Sequence, residues 1–273
     1  MTINYLLQVL QDMEDGKIRD PDYIKDPKWE FSKAFRRVQR RIQRLRGRMH
    51  YELVEMNRAK VSAVSGHMED FTKFFASIRN FNLKDCEGLP GIKSFIQEGF
   101  QVEDMMAVAD AIGDVGTVSS MGYKSITPDY AIMDAVLSLP KVTVDEKKLH
   151  ELDKVYIAEL IRELEDYRKA ARALVEKQEE ITSAAREAAS LLSDLHDYFV
   201  DGIDDLKTIV GEKGPDWEKY DQSEKMQIAR AIQAAHLITI LFPRLIDPDT
   251  NELSEKTARA IEKTRHALSF RDA

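Results

Sequence analysis

Cysteine is nearly absent from this sequence. Cys86 stands alone among 273 residues, so no internal disulfide can form and nothing points to an oxidising compartment. No run reaches the ~18 consecutive apolar residues that a membrane-spanning helix needs, which argues against integral insertion and leaves reversible membrane association. The opening stretch MTINYLLQVLQDMEDGK has no basic n-region and meets Asp12 and Glu14 after a short apolar patch, unlike a secretory leader. With 12 Gly and 8 Pro against 32% charged residues, the composition is that of a helix-rich globular chain and not of a disordered one. A formal net charge of −8 gives no general affinity for nucleic acid, so such a contact would have to come from a local basic patch. The expected location is cytoplasmic, peripheral to a membrane at most.

Catalytic chemistry is missing as well. There is no G-x-S-x-G, no zinc-ligand spacing and no His near Cys86, so nucleophilic and zinc chemistry lack their residues. None of the six histidines is preceded by Glu at three residues, as a bundle di-iron site requires. GLPGIKS, residues 88–94, has Ile92 where a phosphate-binding loop needs Gly before its Lys. DPDTNELSEK has Glu252 and Ala258 where a calcium loop needs Gly and Glu, and reads as a capping turn. His196 between Asp194 and Asp197 fits a solvated helix face better than a metal site. No catalytic, cofactor-binding or metal-ligating set emerges, and the chain is expected to be non-enzymatic.

What is present is helical periodicity. From Trp29 to Phe81, apolar residues recur at intervals of three and four without an intervening Pro, the spacing of one long amphipathic helix. Leu164, Tyr167, Ala171, Leu174, Gln178, Ile181, Ala185, Ala188, Leu192, Leu195 and Phe199 form an a/d seam over five heptads, within a helix expected across 145–211. The alanines of that seam would admit another helix closely. Asp221 and Glu224 have capping-box spacing at the head of the C-terminal helices, residues 221–270. Between the long helices, 82–144 reads as a small helical insert.

The expected fold is all-α: an elongated helical bundle built on a long antiparallel coiled-coil hairpin, with the insert at one end. Residues 1–28 form an N-terminal helical or linker segment and 29–273 a single bundle, with its first long helix over 29–81.

Two surfaces are candidates for binding. Residues 33–48, KAFRRVQRRIQRLRGR, hold eight basic residues and no acidic one. Arg36, Arg37, Arg40, Arg41, Arg44 and Arg48 share one side of the helix, away from Phe35, Val38, Ile42 and Leu45, which makes a cationic amphipathic helix. Anionic lipid or a phosphate backbone would suit it. In an antiparallel hairpin it would instead face 178–193, where Glu179, Glu180 and Glu187 match its sign. The second surface is the apolar part of the insert, Met105, Met106, Val108, Ile112 and Val115, beside the small residues Gly113 and Gly116.

EKYDQSEKMQIARAIQAAHLITILFPRLIDPDTNELSEKT and MEDFTKFFASIRNFNL resemble segments of a poorly characterised bacterial group of coiled-coil proteins, in which long helices flank a Gly/Ala-rich apolar insert. The resemblance covers about half the chain, chiefly 35–82 and 145–257. It implies a bacterial helical protein whose insert associates with a membrane or a partner. The insert here is short, acidic in places and poor in glycine zippers, which departs from that pattern. The layout is also similar to that of α-helical pore-forming toxins, by architecture alone. Together these readings give an interaction or scaffold protein acting through a protein partner or self-association. Peripheral membrane or pore-forming activity is the alternative, and nucleic-acid binding through the basic helix the third reading.

Overall fold

The computed structural model describes residues 2–20, 22–64, 67–87, 139–247, 249–250 and 252–269. Among them regular structure is helical, joined by two isolated bridging pairs, Arg79 with Asp216 and Ile246 with Leu253. The helices are α1 (Ile3–Glu14), α2 (Pro27–Val64), α3 (His67–Ser77), α4 (Glu146–His150), α5 (Lys154–Lys213), α6 (Gln222–Ile240) and α7 (Glu255–Ser269), with short 3-10 turns at Leu83–Cys86 and Trp217–Lys219. The chain divides into two units, described in turn. Unit 1 holds the described residues of 2–51 and 139–180, and unit 2 those of 52–87 and 181–269.

Unit 1 begins where local chemistry starts and stops its helices. Thr2 caps α1 by accepting the Tyr5 N–H, and Gly16, at φ +73°, ends the turn that follows it, a backbone state only glycine adopts without penalty. Asp26 accepts the Trp29 N–H at 2.9 Å and Pro27 opens α2, the position where a missing N–H costs nothing. Leu6 and Leu10 of α1, Phe31 and Ala34 of α2, and Ile157, Leu160 and Leu164 of α5 share one core. Leu139, Val142 and Val144 pack against it. The single helix expected over 145–211 is split: Leu152 lies at φ +52°, and Asp153 recaps the chain by accepting the Val155 and Tyr156 N–H groups.

Unit 2 is built around α5 from Ile181 onward. Ala185, Ala188, Leu192, Leu195 and Phe199 are buried with Met56 of α2, Phe71 of α3 and Ile228, Ile232 and Ala235 of α6. Rings run in sequence of contact from Phe199 through Phe71, Phe75, Phe81 and Trp217 to Tyr220, with neighbouring centroids 4.8–5.9 Å apart. Gly202 lets α6 approach α5, since a Cβ there would lie 2.8 Å from that of Ala231. The capping box of Asp221 and Glu224 forms as its spacing requires.

Every residue of the expected seam is buried, in both units, so the periodicity identified the inward face of α5. Its direction was misread. In unit 1, Lys28 meets Glu146, the Phe35 ring lies tilted against that of Tyr167 and Arg41 approaches Glu179. In unit 2, Glu52 pairs with Arg186, Asp70 with Lys207, and Arg79 bridges Asp216 in parallel. Both numbers of each pair rise together, so α2 and α3 run parallel to α5 within each unit, not as the arms of an antiparallel hairpin. An a/d pattern reads the same in either direction, and orientation is set by flanking charges and by the connection. The described ends of the expected insert belong to different units: Leu83–Cys86 contacts α6 in unit 2, whereas 139–144 belongs to the unit 1 core.

Candidate interaction surface

The basic helix forms as its pattern predicts. Phe31, Ala34 and Ile42 are buried, while Arg36, Arg37, Arg40, Arg41, Arg44 and Arg48 are exposed. Arg36 donates to Ser32 Oγ from Nε at 3.2 Å and Nη2 at 2.9 Å, and so is held along its own helix. Arg41 Nη2 lies 3.8 Å from Glu179 Oε1, both side chains more than half exposed, a pairing of ~0–1 kcal/mol at most. Among the described residues no acidic side chain lies within ion-pair distance of Arg40, Arg44 or Arg48. The internal match expected with 178–193 is therefore reduced. Glu179 takes part, but Glu187 pairs with Arg265 of α7 in unit 2, and Glu52, on α2 itself, is what holds Arg186.

Two residues of this surface were overlooked in the sequence. Trp29 and Tyr51 are 49% and 59% exposed. With Lys33, Arg37, Arg40, Arg44 and Arg48 they fall at steps of 4, 4, 3, 4, 4 and 3 along α2, so all seven share one stripe. Lys33 Nζ sits 4.2 Å from the Trp29 ring centroid, a cation–π contact. Continuing the basic spacing by one step beyond Lys33 and beyond Arg48 reaches an aromatic residue at either end.

Beside this helix lies a cleft of about 650 Å³, walled by Phe35, Ile42, Val142 and Tyr167 with Gln39 and Arg46 among its polar lining. The Tyr167 hydroxyl is buried with no hydrogen-bond partner, and burial pushes its pKa above the ordinary phenol value.

Unit 2 carries the opposite charge outward. Asp194, Asp197, Asp201 and Asp204 are exposed on α5. His196, between the first two, does not face them alone: its ring meets His67 of α3 edge-on at 5.4 Å, and its Nδ1 is buried without a partner. Among the described residues no group of three or more His, Cys, Asp or Glu side chains could hold a metal ion. Cys86 is buried, its Sγ donating to the Lys225 carbonyl at 3.4 Å, and desolvation pushes its thiol up to about 11, far from a reactive thiolate. Asp247 accepts the Asp249 and Thr250 N–H groups, which makes the calcium-like stretch a turn. No described helix is long and apolar enough to cross a membrane. The phosphate-loop-like stretch 88–94 and the apolar candidates Met105, Met106, Val108, Ile112 and Val115 lie outside the described residues.

Unit 2 also contains polar contacts that periodicity could not reveal. Lys60 is buried and donates to the Phe242 and Pro243 carbonyls at 3.0 Å each, satisfying groups at the end of α6. Asp85 accepts from Lys225 Nζ and Trp217 Nε1, both at 2.9 Å. The Lys225 ammonium, then the indole N–H, hold its carboxyl below the ordinary carboxylate value.

No family model, curated protein or solved structure matches this chain.

Proposed function

We propose that this chain is a non-enzymatic, cytoplasmic interaction or scaffold protein that works through the outward faces of its long helices, docking a protein partner or a second copy of itself. The observation that carries the reading is the stripe from Trp29 to Tyr51: its helix buries the opposite face in unit 1, yet Arg40, Arg44 and Arg48 reach no acidic partner among the described residues. Solvated arginines with exposed aromatics at both ends are the composition of a protein contact, where Arg, Trp and Tyr dominate binding energy. The seam of α5 supports a coiled-coil-like interior, but its alanines are covered by the chain's own helices, so partners meet the charged flanks.

Adsorption to an anionic membrane is the second reading, favoured by the interfacial aromatics Trp29 and Tyr51 beside the arginines. It would be peripheral, because the apolar side of α2 is occupied. Affinity capture separates the readings. Wild-type protein and the Arg37→Glu, Arg40→Glu, Arg44→Glu variant are each immobilised, and retained proteins are identified by mass spectrometry. The interaction reading expects at least one protein, this chain included, to be retained by the wild type and lost from the variant. Equal retention by both, with anionic vesicles bound by the wild type alone, would replace it with the membrane reading.

A further inference from the structure

The exposed charges of the two units repeat alike. On α2 the basic run is Arg37, Arg40 with Arg41, Arg44 and Arg48; on α5 the acidic run is Asp194, Asp197, Asp201 and Asp204 with Asp205. Both advance by three or four residues and extend for about 16 Å at ~1.5 Å per residue. No acidic residue interrupts the first, and no basic residue lies between Glu187 and Asp205 in the second. Arg40, Arg44 and Arg48, like Asp194, Asp197 and Asp201, have no ion-pair partner among the described residues, and Asp204 has only Lys207 at 3.9 Å.

We propose that the arginine run of α2 is the docking surface for the aspartate run of α5 in a second copy of this chain. The proposal rests on the interaction reading above and names its partner. Apolar faces of both helices are committed to their own cores, so the contact is made by charge, with Trp29 and Tyr51 available at its ends. A nucleic acid or an anionic bilayer would use the arginines and leave the aspartates idle, and the chain's net charge of −8 opposes both. A second copy uses both runs with the same spacing. Because two different runs meet, the contact is made twice in a two-fold dimer or once per copy in a head-to-tail ring or chain, according to the symmetry that relates the copies. Exposed pairs are screened by salt, so the association is salt-labile.

The test is sedimentation velocity on the full chain at low and raised ionic strength. Wild type is expected to associate at low salt and to dissociate as salt rises. The triple variant Arg37→Glu, Arg40→Glu, Arg44→Glu and the triple variant Asp194→Lys, Asp197→Lys, Asp201→Lys should each weaken association at least tenfold. An equimolar mixture of the two should restore it, since opposite charges then face one another again. Circular dichroism checks that both variants fold, and the salt dependence of the wild type stands without them. A wild type that stays monomeric at low salt, or folded variants whose mixture does not associate, would overturn the proposal. Salt-sensitive binding of monomeric wild type to phosphatidylserine vesicles or a single-stranded oligonucleotide would overturn it in favour of those partners. If self-association fails but reversal of the stripe still removes another captured protein, the second copy is wrong and the interaction reading survives; if capture is also unchanged, both fall.

Discussion

In unit 2 the cations reach across from one element to another. Lys60 of α2 holds the carbonyls after α6, Lys207 of α5 holds Asp70 of α3, Lys225 of α6 holds Asp85, and Lys213 of α5 holds Glu224 of α6. In unit 1 the arginines of α2 are largely exposed: Arg41, beside the stripe, lies near Glu179 of α5, while Arg40, Arg44 and Arg48 meet no acidic side chain among the described residues. Both units bury one face of α5 by the same periodicity. The contrast lies in the flanking charges, which fasten elements where they find a partner on another helix and stay exposed where they do not. Sequence spacing alone does not tell these two uses apart.

The largest expected effect breaks unit 2 at its aromatic chain. Trp217 is 1% exposed, edge-on to Phe81 and Tyr220, and donates its indole N–H to Asp85. Trp217→Ala should therefore cost about 3–5 kcal/mol in urea unfolding; a loss under ~1 kcal/mol would mean that the ring is not part of the core. Lys60→Met comes next. It keeps the apolar stem but leaves two carbonyls without their donor, at a cost of about 1–3 kcal/mol, and an unchanged unfolding midpoint would show that water replaces the ammonium.

Acidification sharpens the comparison further. Lys225 and Trp217 lower the pKa of Asp85, Lys207 that of Asp70, the Glu224 N–H that of Asp221, and the Thr250 and Asp249 N–H groups that of Asp247. All four lie in unit 2. A lowered folded pKa gives stability that is complete above the unfolded value, near 3.8 for each Asp, and is lost as pH falls through the folded value. Unit 2 should thus lose hydrogen-exchange protection as pH drops below about 4, and Asp85→Asn should make that loss shallower. A pH-independent protection pattern would contradict the assignment. The smallest effect belongs to unit 1, where Arg40→Ala or Arg44→Ala should change stability by no more than ~0.5 kcal/mol; a larger loss would assign the stripe a structural role.

Much of the fold was legible. The seam from Leu164 to Phe199, the apolar face of α2 and the Asp221 capping box all depend on local spacing, and all are found. The break at Leu152 and Asp153 was missed because Leu carries no turn signal and a single Asp inside a charged stretch reads as helix surface. The parallel course of α2 and α5 was missed for a deeper reason: an a/d seam has no direction, and the antiparallel assumption came from treating 82–144 as a short tip. Of the candidate surface, the spacing placed the arginines on one side of α2, which is the exposed side, but left open whether 178–193 would cover them and did not attach Trp29 and Tyr51 to them. Lys60 and Asp85 could not have been found, because their partners lie more than 130 residues away in sequence.

Within unit 2 the segment of α5 that carries the aspartates packs on His67 and Phe71 of α3 through His196 and Phe199, and within unit 1 α2 runs parallel to α5. The direct test is an electron–electron distance between spin labels at Lys28→Cys and Glu146→Cys in a Cys86→Ser background. The parallel course puts these side chains next to one another, their charged atoms 3.4 Å apart, so the label distance should be near the shortest the method reads. An antiparallel hairpin would carry residue 146 to the far end of the first long helix, on the order of 80 Å away, and a distance of that size would contradict the account.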